Sequence, residues 1–282
     1  MTSFLKMHGL GNDFAVFDAR AFPVPLDAAR ARAIADRRRG IGCDQVIVME
    51  PSKGANAFMR IFNADGGEVE QCGNATRCVA YLLMAEAGID EVAINNAGGP
   101  LLCRTAGETR VTVDMGPPKL DWREIPMAQA VETESFALEV PGFSERALES
   151  AASVSMGNPH CVLFVENAET APVATLGPAI ERHPWFPLRT NVEFVQRLSP
   201  QRLRMRVWER GAGITLACGT GACAAAVAAN VRGLTERKVT LVLDGGELEM
   251  EWGESDDHVL MTGPIPFSFG GEVDINALVA AA

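Results

Sequence analysis

The sequence predicts an α+β protein of two pseudo-symmetric lobes, each a mostly antiparallel β-sheet or barrel wrapped around a central helix. Three observations predict it: an internal repeat with a constant offset, strand-like alternation between the repeat's landmarks, and two helical runs that each begin directly after a Cys-Gly pair.

The repeat is clearest at Gln71-Cys72-Gly73-Asn74 and Ala217-Cys218-Gly219-Thr220, whose cysteines lie 146 positions apart (218 − 72). The same shift carries Gly11-Asn12 onto Gly157-Asn158, Gln45 onto Asn191, and Arg60-Ile61-Phe62-Asn63 onto Arg206-Val207-Trp208-Glu209. These landmarks are amides, a glutamate and cysteines, so the duplication preserves chemical positions as well as core ones.

The elements follow in chain order. Pro25 to Arg38 reads as a helix, and Asn74 to Ala87 as a second. Thr109 to Met115 alternates as a strand does, as do Leu203 to Trp208 and Glu247 to Trp252. Thr220 to Arg232 is a third helix, so rich in alanine near its start that it lacks a polar face there; such a helix is normally buried. The breakers Gly116-Pro117-Pro118 and Gly263-Pro264-Ile265-Pro266 mark the expected lobe boundaries. The N-terminal lobe is then 1–117 completed by 264–282, and the C-terminal lobe is 118–263.

Composition narrows the function. The chain has 282 residues, 48% hydrophobic and 22% charged, as expected of a soluble globular protein. The start of the chain lacks a charged-then-apolar leader and no apolar run approaches a membrane span, so the expected location is the cytoplasm with no membrane partner. A net charge of −11 argues against nucleic acid, which rewards surplus Lys and Arg. Seven cysteines, an odd number without C-x-x-C pairs, argue against a disulfide framework and a structural zinc site. Five of them are expected to be small buried side chains. Lysine occurs only at 6, 53, 119 and 238, none in a phosphate-cradling context, which points away from pyridoxal phosphate. Neither a dinucleotide fingerprint nor a P-loop is present. No cofactor and no metal are expected.

Cys72 and Cys218 are the exceptions. The first turn of a helix carries unpaired N–H groups and a partial positive charge, which stabilise a thiolate and can hold a carboxylate. Gly73 and Gly219 let a ligand come close to the backbone. Two such cysteines at equivalent points of a duplicated chain suggest a thiol pair facing each other across the lobe interface. That suits inversion of a stereocentre, in which a base removes the α-proton on one face and an acid delivers one on the other. The carboxylate, enolate-like as the proton leaves, needs N–H donors aimed at it.

The stretches Asn63 to Asn74, Glu209 to Cys223, Phe4 to Asp18 and Met156 to Cys161 closely resemble diaminopimelate epimerases. The sequence departs at Ala75-Thr76, where that family usually has Gly-Ala, and at Ile214, where it more often has an acidic residue. The resemblance implies a cofactor-independent isomerase interconverting LL- and meso-2,6-diaminopimelate in lysine and cell-wall precursor synthesis, and a homodimer. It implies Cys72 and Cys218 as base and acid. Gly73, Asn74, Gly219 and Thr220 would bind the reacting carboxylate through backbone N–H groups. Asn12, Gln45, Asn63, Asn158, Asn191, Glu209 and Arg210 would contact substrate, Arg210 taking the distal carboxylate and Glu209 the distal ammonium. His160 and Glu209 would tune the thiols.

Rival readings keep the fold and change the chemistry. A proline racemase or hydroxyproline epimerase would share both thiols but act on a substrate with one carboxylate, which leaves Glu209-Arg210 without a purpose. A phenazine-type isomerase lacks the paired thiols. A non-catalytic amino-acid-binding protein would leave two reactive thiols unused.

Overall fold

The computed structural model describes residues 1–144 and 146–280. The chain forms two compact units, Met1–Val113 with the C-terminal stretch from Thr262, and Asp114–Met261.

The first unit opens with β1 (Thr2–Gly9), β2 (Asn12–Asp18), α1 (Ala28–Ala35), β3 (Gln45–Glu50), β4 (Ala57–Asn63) and β5 (Glu68–Val69). It continues with α2 (Gly73–Ala87), β6 (Glu91–Asn96), β7 (Gly99–Thr105) and β8 (Arg110–Asp114). The second unit holds β9 (Ala152–Ser155), β10 (Pro159–Phe164), α3 (Val173–Glu181), β11 (Asn191–Ser199), β12 (Arg202–Glu209) and β13 (Gly213–Ile214). After α4 (Gly219–Val231) come β14 (Lys238–Leu243), β15 (Gly246–Trp252) and β16 (Val259–Pro264). The chain re-enters the first unit within β16, at Thr262, and continues there as β17 (Phe267–Val273) and α5 (Ile275–Ala280).

Strand register repeats along with the sequence. Phe14 of β2 pairs in parallel with Gln45 of β3, and Gln45 pairs antiparallel with Asn63 of β4. In the second unit His160 of β10 pairs in parallel with Asn191 of β11, at the same shift of 146 (160 − 14 and 191 − 45). The β4–β5 pair Phe62–Glu68 becomes the β12–β13 pair Trp208–Ile214. Past the helices the shift grows to 147: the hairpin ending Asn96–Gly99 becomes Leu243–Gly246 (243 − 96). The sheets are mixed, since β2–β3, β4–β6, β10–β11 and β12–β14 run parallel among antiparallel neighbours.

Strands β2 and β3 are buried on both faces because helices cover both. On one face Ala15, Phe17, Val46 and Phe62 pack with Ala31, Ile34 and Ala35 of α1 and with Ile275 of α5. The alternate residues Phe14, Val16 and Ile47 point to the opposite face, as the pleat requires. Helix α2 packs against β1, β2, β6 and β7, and its residues Gly73 to Ala80 are all buried. In the second unit α3 covers one face: its Leu176 and Ile180 share a core with Cys161, Leu163, Val192 and Phe194. Helix α4, Ala-rich because strands surround it, packs against β9, β10, β11, β14 and β15.

The first helix is shorter than its sequence pattern. Asp27 caps its start by accepting from Arg30 N, and Asp36 ends it by accepting from the backbone N–H groups of Arg38 and Arg39. Helix α3, absent from the sequence expectations, contains Gly177 and Pro178, which disfavour a helix. Packing overrides that: a Cβ on Gly177 would lie 2.6 Å from Cβ of Trp208, so only glycine lets α3 cross β12 there.

Candidate active site

Both lead cysteines are N-caps in extended conformation, with φ and ψ of −146° and 104° at Cys72 and −119° and 113° at Cys218. Glycine follows each cysteine at the helix entry, and in α4 the open N–H of Gly221 points at the capping sulfur, whereas Cys72 makes no such side-chain cap.

In the first unit Cys72 is half-buried. Its thiol lies 3.7 Å from Oδ1 of Asn12, which also accepts from Nδ2 of Asn74 at 3.5 Å. The other end of the Asn12 amide donates to Asp44 Oδ2 at 3.2 Å, so a carboxylate holds the amide with its oxygen toward the thiol. Asp44 and Asp13 exchange backbone contacts and share Arg37, whose guanidinium lies 2.7 Å from each. Lys6 completes the cluster at Asp13 and at the Gly42 carbonyl. Burial works to raise the Asp13 carboxyl, yet Arg37, Lys6 and the Asp44 N–H outweigh it and bring it down to about 2. Gln45 donates to Asn63 Oδ1 at 2.9 Å across the β3–β4 pair. Arg77, fully buried in the second turn of α2, donates to Asn74 Oδ1 at 2.9 Å.

In the second unit Cys218 is buried. Its sulfur accepts from Gly221 N at 3.4 Å and lies 3.6 Å from the Thr220 hydroxyl. Asn158 donates from Nδ2 to that hydroxyl at 3.3 Å, and its Oδ1 lies 2.9 Å from Nε2 of His160. His160 Nδ1 sits 2.7 Å from Oε1 of Glu193, and both side chains are fully buried. Asn191 donates to the Pro159 carbonyl and accepts from Arg210 N at 2.9 Å. Glu209, half-buried, accepts from the Thr215 hydroxyl and from the Cys218 thiol. Burial pushes the Glu209 carboxyl up, with these two hydrogen bonds working against it.

One expectation needs correction. A helix N-terminus was expected to favour the thiolate, but Cys218 is held well above the ordinary thiol value, first by burial and then by the charges of Glu209 and Glu193. Two carboxylates in a dry environment outweigh the half charge of a helix end. The Glu209 carboxyl, expected both at the distal ammonium and at the thiols, is engaged by Thr215 and Cys218. Arg210 is exposed, with Nη1 donating to the Leu188 carbonyl at 3.2 Å, and its backbone is fixed by Asn191.

The sequence reading missed Glu193 and the cluster of Asp13 and Asp44. Glu193 had a signal: a lone charge inside the apolar run Val192-Glu193-Phe194-Val195, at a position where the shifted partner is Ile47. The other five cysteines are buried, and burial raises Cys43 to about 11 and Cys78 to about 12, which keeps these two protonated at neutral pH. Among the described residues no cluster of His, Cys, Asp and Glu is arranged to hold a metal ion, and no helix is long and apolar enough to cross a membrane.

The fold is that of a class of racemases, epimerases and isomerases. It is shared with a predicted epimerase from Pseudomonas aeruginosa, at a TM-score of 0.70 and 19% identity over 97% of this chain and 99% of that one. A probable proline racemase from Agrobacterium radiobacter superposes at a TM-score of 0.68 and 17% identity, covering 97% and 93%. These identities establish fold alone. The sequence model of diaminopimelate epimerase matches residues 4–120 and 152–267. The diaminopimelate epimerase of Phenylobacterium zucineum is 56% identical, covering 96% of this chain and 97% of its own length. That of Rhodospirillum centenum is 55% identical, covering 96% and 91%. The chain belongs to the diaminopimelate epimerase family and is an isomerase.

Proposed function

We propose that diaminopimelate epimerisation, the reaction named by the family, proceeds in this chain through two thiols, Cys72 and Cys218, one from each unit. The observation that carries the reading is that both are N-caps at the same point of a duplicated strand register, ahead of helices whose open N–H groups suit a carboxylate.

One thiol, as thiolate, takes the α-proton of the LL or meso substrate, and the other gives a proton to the opposite face. The donor becomes the thiolate, so the reverse reaction exchanges their roles. Cys218 is suited to hold its proton until it is needed, because burial and two carboxylates disfavour its thiolate. The backbone N–H groups of Gly73, Asn74, Gly219 and Thr220 are assigned to the reacting carboxylate as charge builds on it. Asn12 and Asn158 orient each side, with Gln45, Asn63 and Asn191 behind them. Arg210, exposed on its guanidinium side, is assigned to the distal carboxylate, where a bidentate pair is worth more than a single hydrogen bond. The chemistry needs no pyridoxal phosphate and no metal, since the proton moves between sulfur and carbon. The expected setting is the cytoplasm, in lysine biosynthesis.

A homodimer is part of this proposal. It is supported by β17, which pairs with β1 along one edge and exposes Phe267 and Phe269 at 56% and 50%. Sedimentation of wild type and Phe269→Glu tests it: a monomeric wild type removes it.

The deciding experiment for the reaction is exchange of the substrate α-hydrogen in deuterated water. Exchange with diaminopimelate and none with proline supports the assignment. Exchange with proline alone would overturn it in favour of a racemase of cyclic amino acids.

A further inference from the structure

Proton counting around His160 adds a residue to the machinery. Asn158 gives Nδ2 to Thr220, so its Oδ1 faces His160 Nε2 at 2.9 Å and accepts a proton there. The other ring nitrogen lies 2.7 Å from Glu193 Oε1. With the amide oxygen at Nε2, that nitrogen is the donor, and Nδ1 is held against the Glu193 carboxyl.

We propose that Glu193 is a positioning residue for Cys218: by holding the His160 ring at Nδ1, it keeps Nε2 turned to Asn158 as a donor and locks that amide in the orientation that aims the Thr220 hydroxyl hydrogen at the sulfur. The amide occupies the acceptor side of Thr220 at 3.3 Å, and the hydroxyl then has Sγ, 3.6 Å away, as the partner for its own hydrogen. If Nε2 loses its hydrogen, the amide turns, its oxygen takes the Thr220 hydrogen, and the sulfur loses a donor. The consequence falls where Cys218 has given up its proton. The buried thiolate then depends on Thr220 and on the Gly221 N–H at 3.4 Å.

Two further observations mark Glu193 as more than packing. Its second oxygen, Oε2, is buried and has no hydrogen-bond partner among the described residues, a cost that a purely structural position would shed. Gly221 makes room for it: a Cβ there would stand 2.6 Å from Oε1. The ionisable groups around Glu193 are His160 and Cys161 on β10, Glu209 on β12 and Cys218 at the start of α4. Only His160 is hydrogen-bonded to it among the described residues.

The inference rests on Cys218 being a reacting thiol, and the test separates the two claims. Glu193→Met removes the anchor at similar volume, and Thr220→Val removes the hydroxyl while keeping the backbone N–H. Each is expected to lower kcat at least ~10-fold with KM for diaminopimelate within about 3-fold, as loss of an orienting group does. Glu193→Gln, which offers the ring either tautomer, should fall between wild type and Glu193→Met. The decisive readout is the double variant: acting through one chain, Glu193→Met and Thr220→Val together should lose no more than the worse single change. Multiplicative losses, or Thr220→Val at wild-type kcat, overturn the proposal even if Glu193→Met fails to fold. An active Cys218→Ala overturns instead the two-thiol reading beneath it.

Discussion

The starts of α2 and α4 are the same piece of structure built twice, and the instructive part is where they differ. At shared positions of the register, the second unit places His160, Glu193 and Glu209 where the first has Phe14, Ile47 and Asn63. Cys218 is therefore buried beside ionisable side chains, whereas Cys72, half-buried, lies beside the Asn12 amide. The helices adjust to match. Gly221 gives way to the Glu193 carboxylate, whereas its counterpart in the sequence is Ala75. In the second turn, Arg77 of α2 corresponds to the small, buried Cys223 of α4. The repeated asparagine is oriented by a carboxylate directly in the first unit, Asn12 through Asp44, and by a carboxylate acting through histidine in the second, Asn158 through His160 and Glu193. A duplicated fold gives two equivalent places for a thiol; the core residues beneath decide that the two thiols are not equivalent.

The largest expected effect breaks or keeps the pairing itself. Cys72→Ala and Cys218→Ala should each lower epimerisation by on the order of 10³-fold or more, since neither thiol replaces the other. Either variant turning over at near wild-type rate, with its circular dichroism intact, would show that the two helix starts do not work together.

Next in size is the adjustment at Gly221. Gly221→Ala drives a methyl into Glu193 and should cost about 1–3 kcal/mol of stability, as overpacking does. Adding Glu193→Ile, which copies the first unit's pair, should recover stability but not activity. Denaturant unfolding of the single and double variants sharpens the comparison; a double variant no more stable than Gly221→Ala would mean that the carboxylate is not what demands the glycine.

A smaller effect belongs to the first unit. Asp13 is depressed from 3.8 to about 2, so its contribution is complete above pH 4 and is lost as pH falls through about 2. Asp13→Asn should cost about 2 kcal/mol at neutral pH and flatten stability between pH 4 and 2. Equal acid midpoints for wild type and variant would remove the Asp13 cluster as the support of Asn12.

The smallest effect is a control away from both thiols. His258 is raised above 6.5, first by its hydrogen bond to Asp114 at 2.8 Å. Its contribution is therefore present below pH 6.5 and lost as pH rises through the raised value. The side chain is 38% exposed, so solvent screens the pair and the effect is slight. Thermal unfolding of His258→Gln and wild type should converge above neutral pH, with kcat unchanged; a lowered kcat would place the pair in the active machinery.

The sequence alone determined the duplication, both cysteine caps and the buried character of α4. The reason is that these are local signals: a shift common to many residues, a Cys-Gly step into a helix, and alanines on every side. It also pointed to Asn12 and Asn158, because each stands at a shifted landmark, and to His160 through the family resemblance. Tertiary structure alone decided what each residue faces. Helix α3 forms despite Gly177 and Pro178 because packing across Trp208 outweighs propensity. Glu193 acquires its meaning from His160, 33 positions away and on a parallel neighbouring strand. The thiol of Cys218 is kept protonated against the pull of its own helix because burial and two carboxylates act at distances that no sequence spacing expresses.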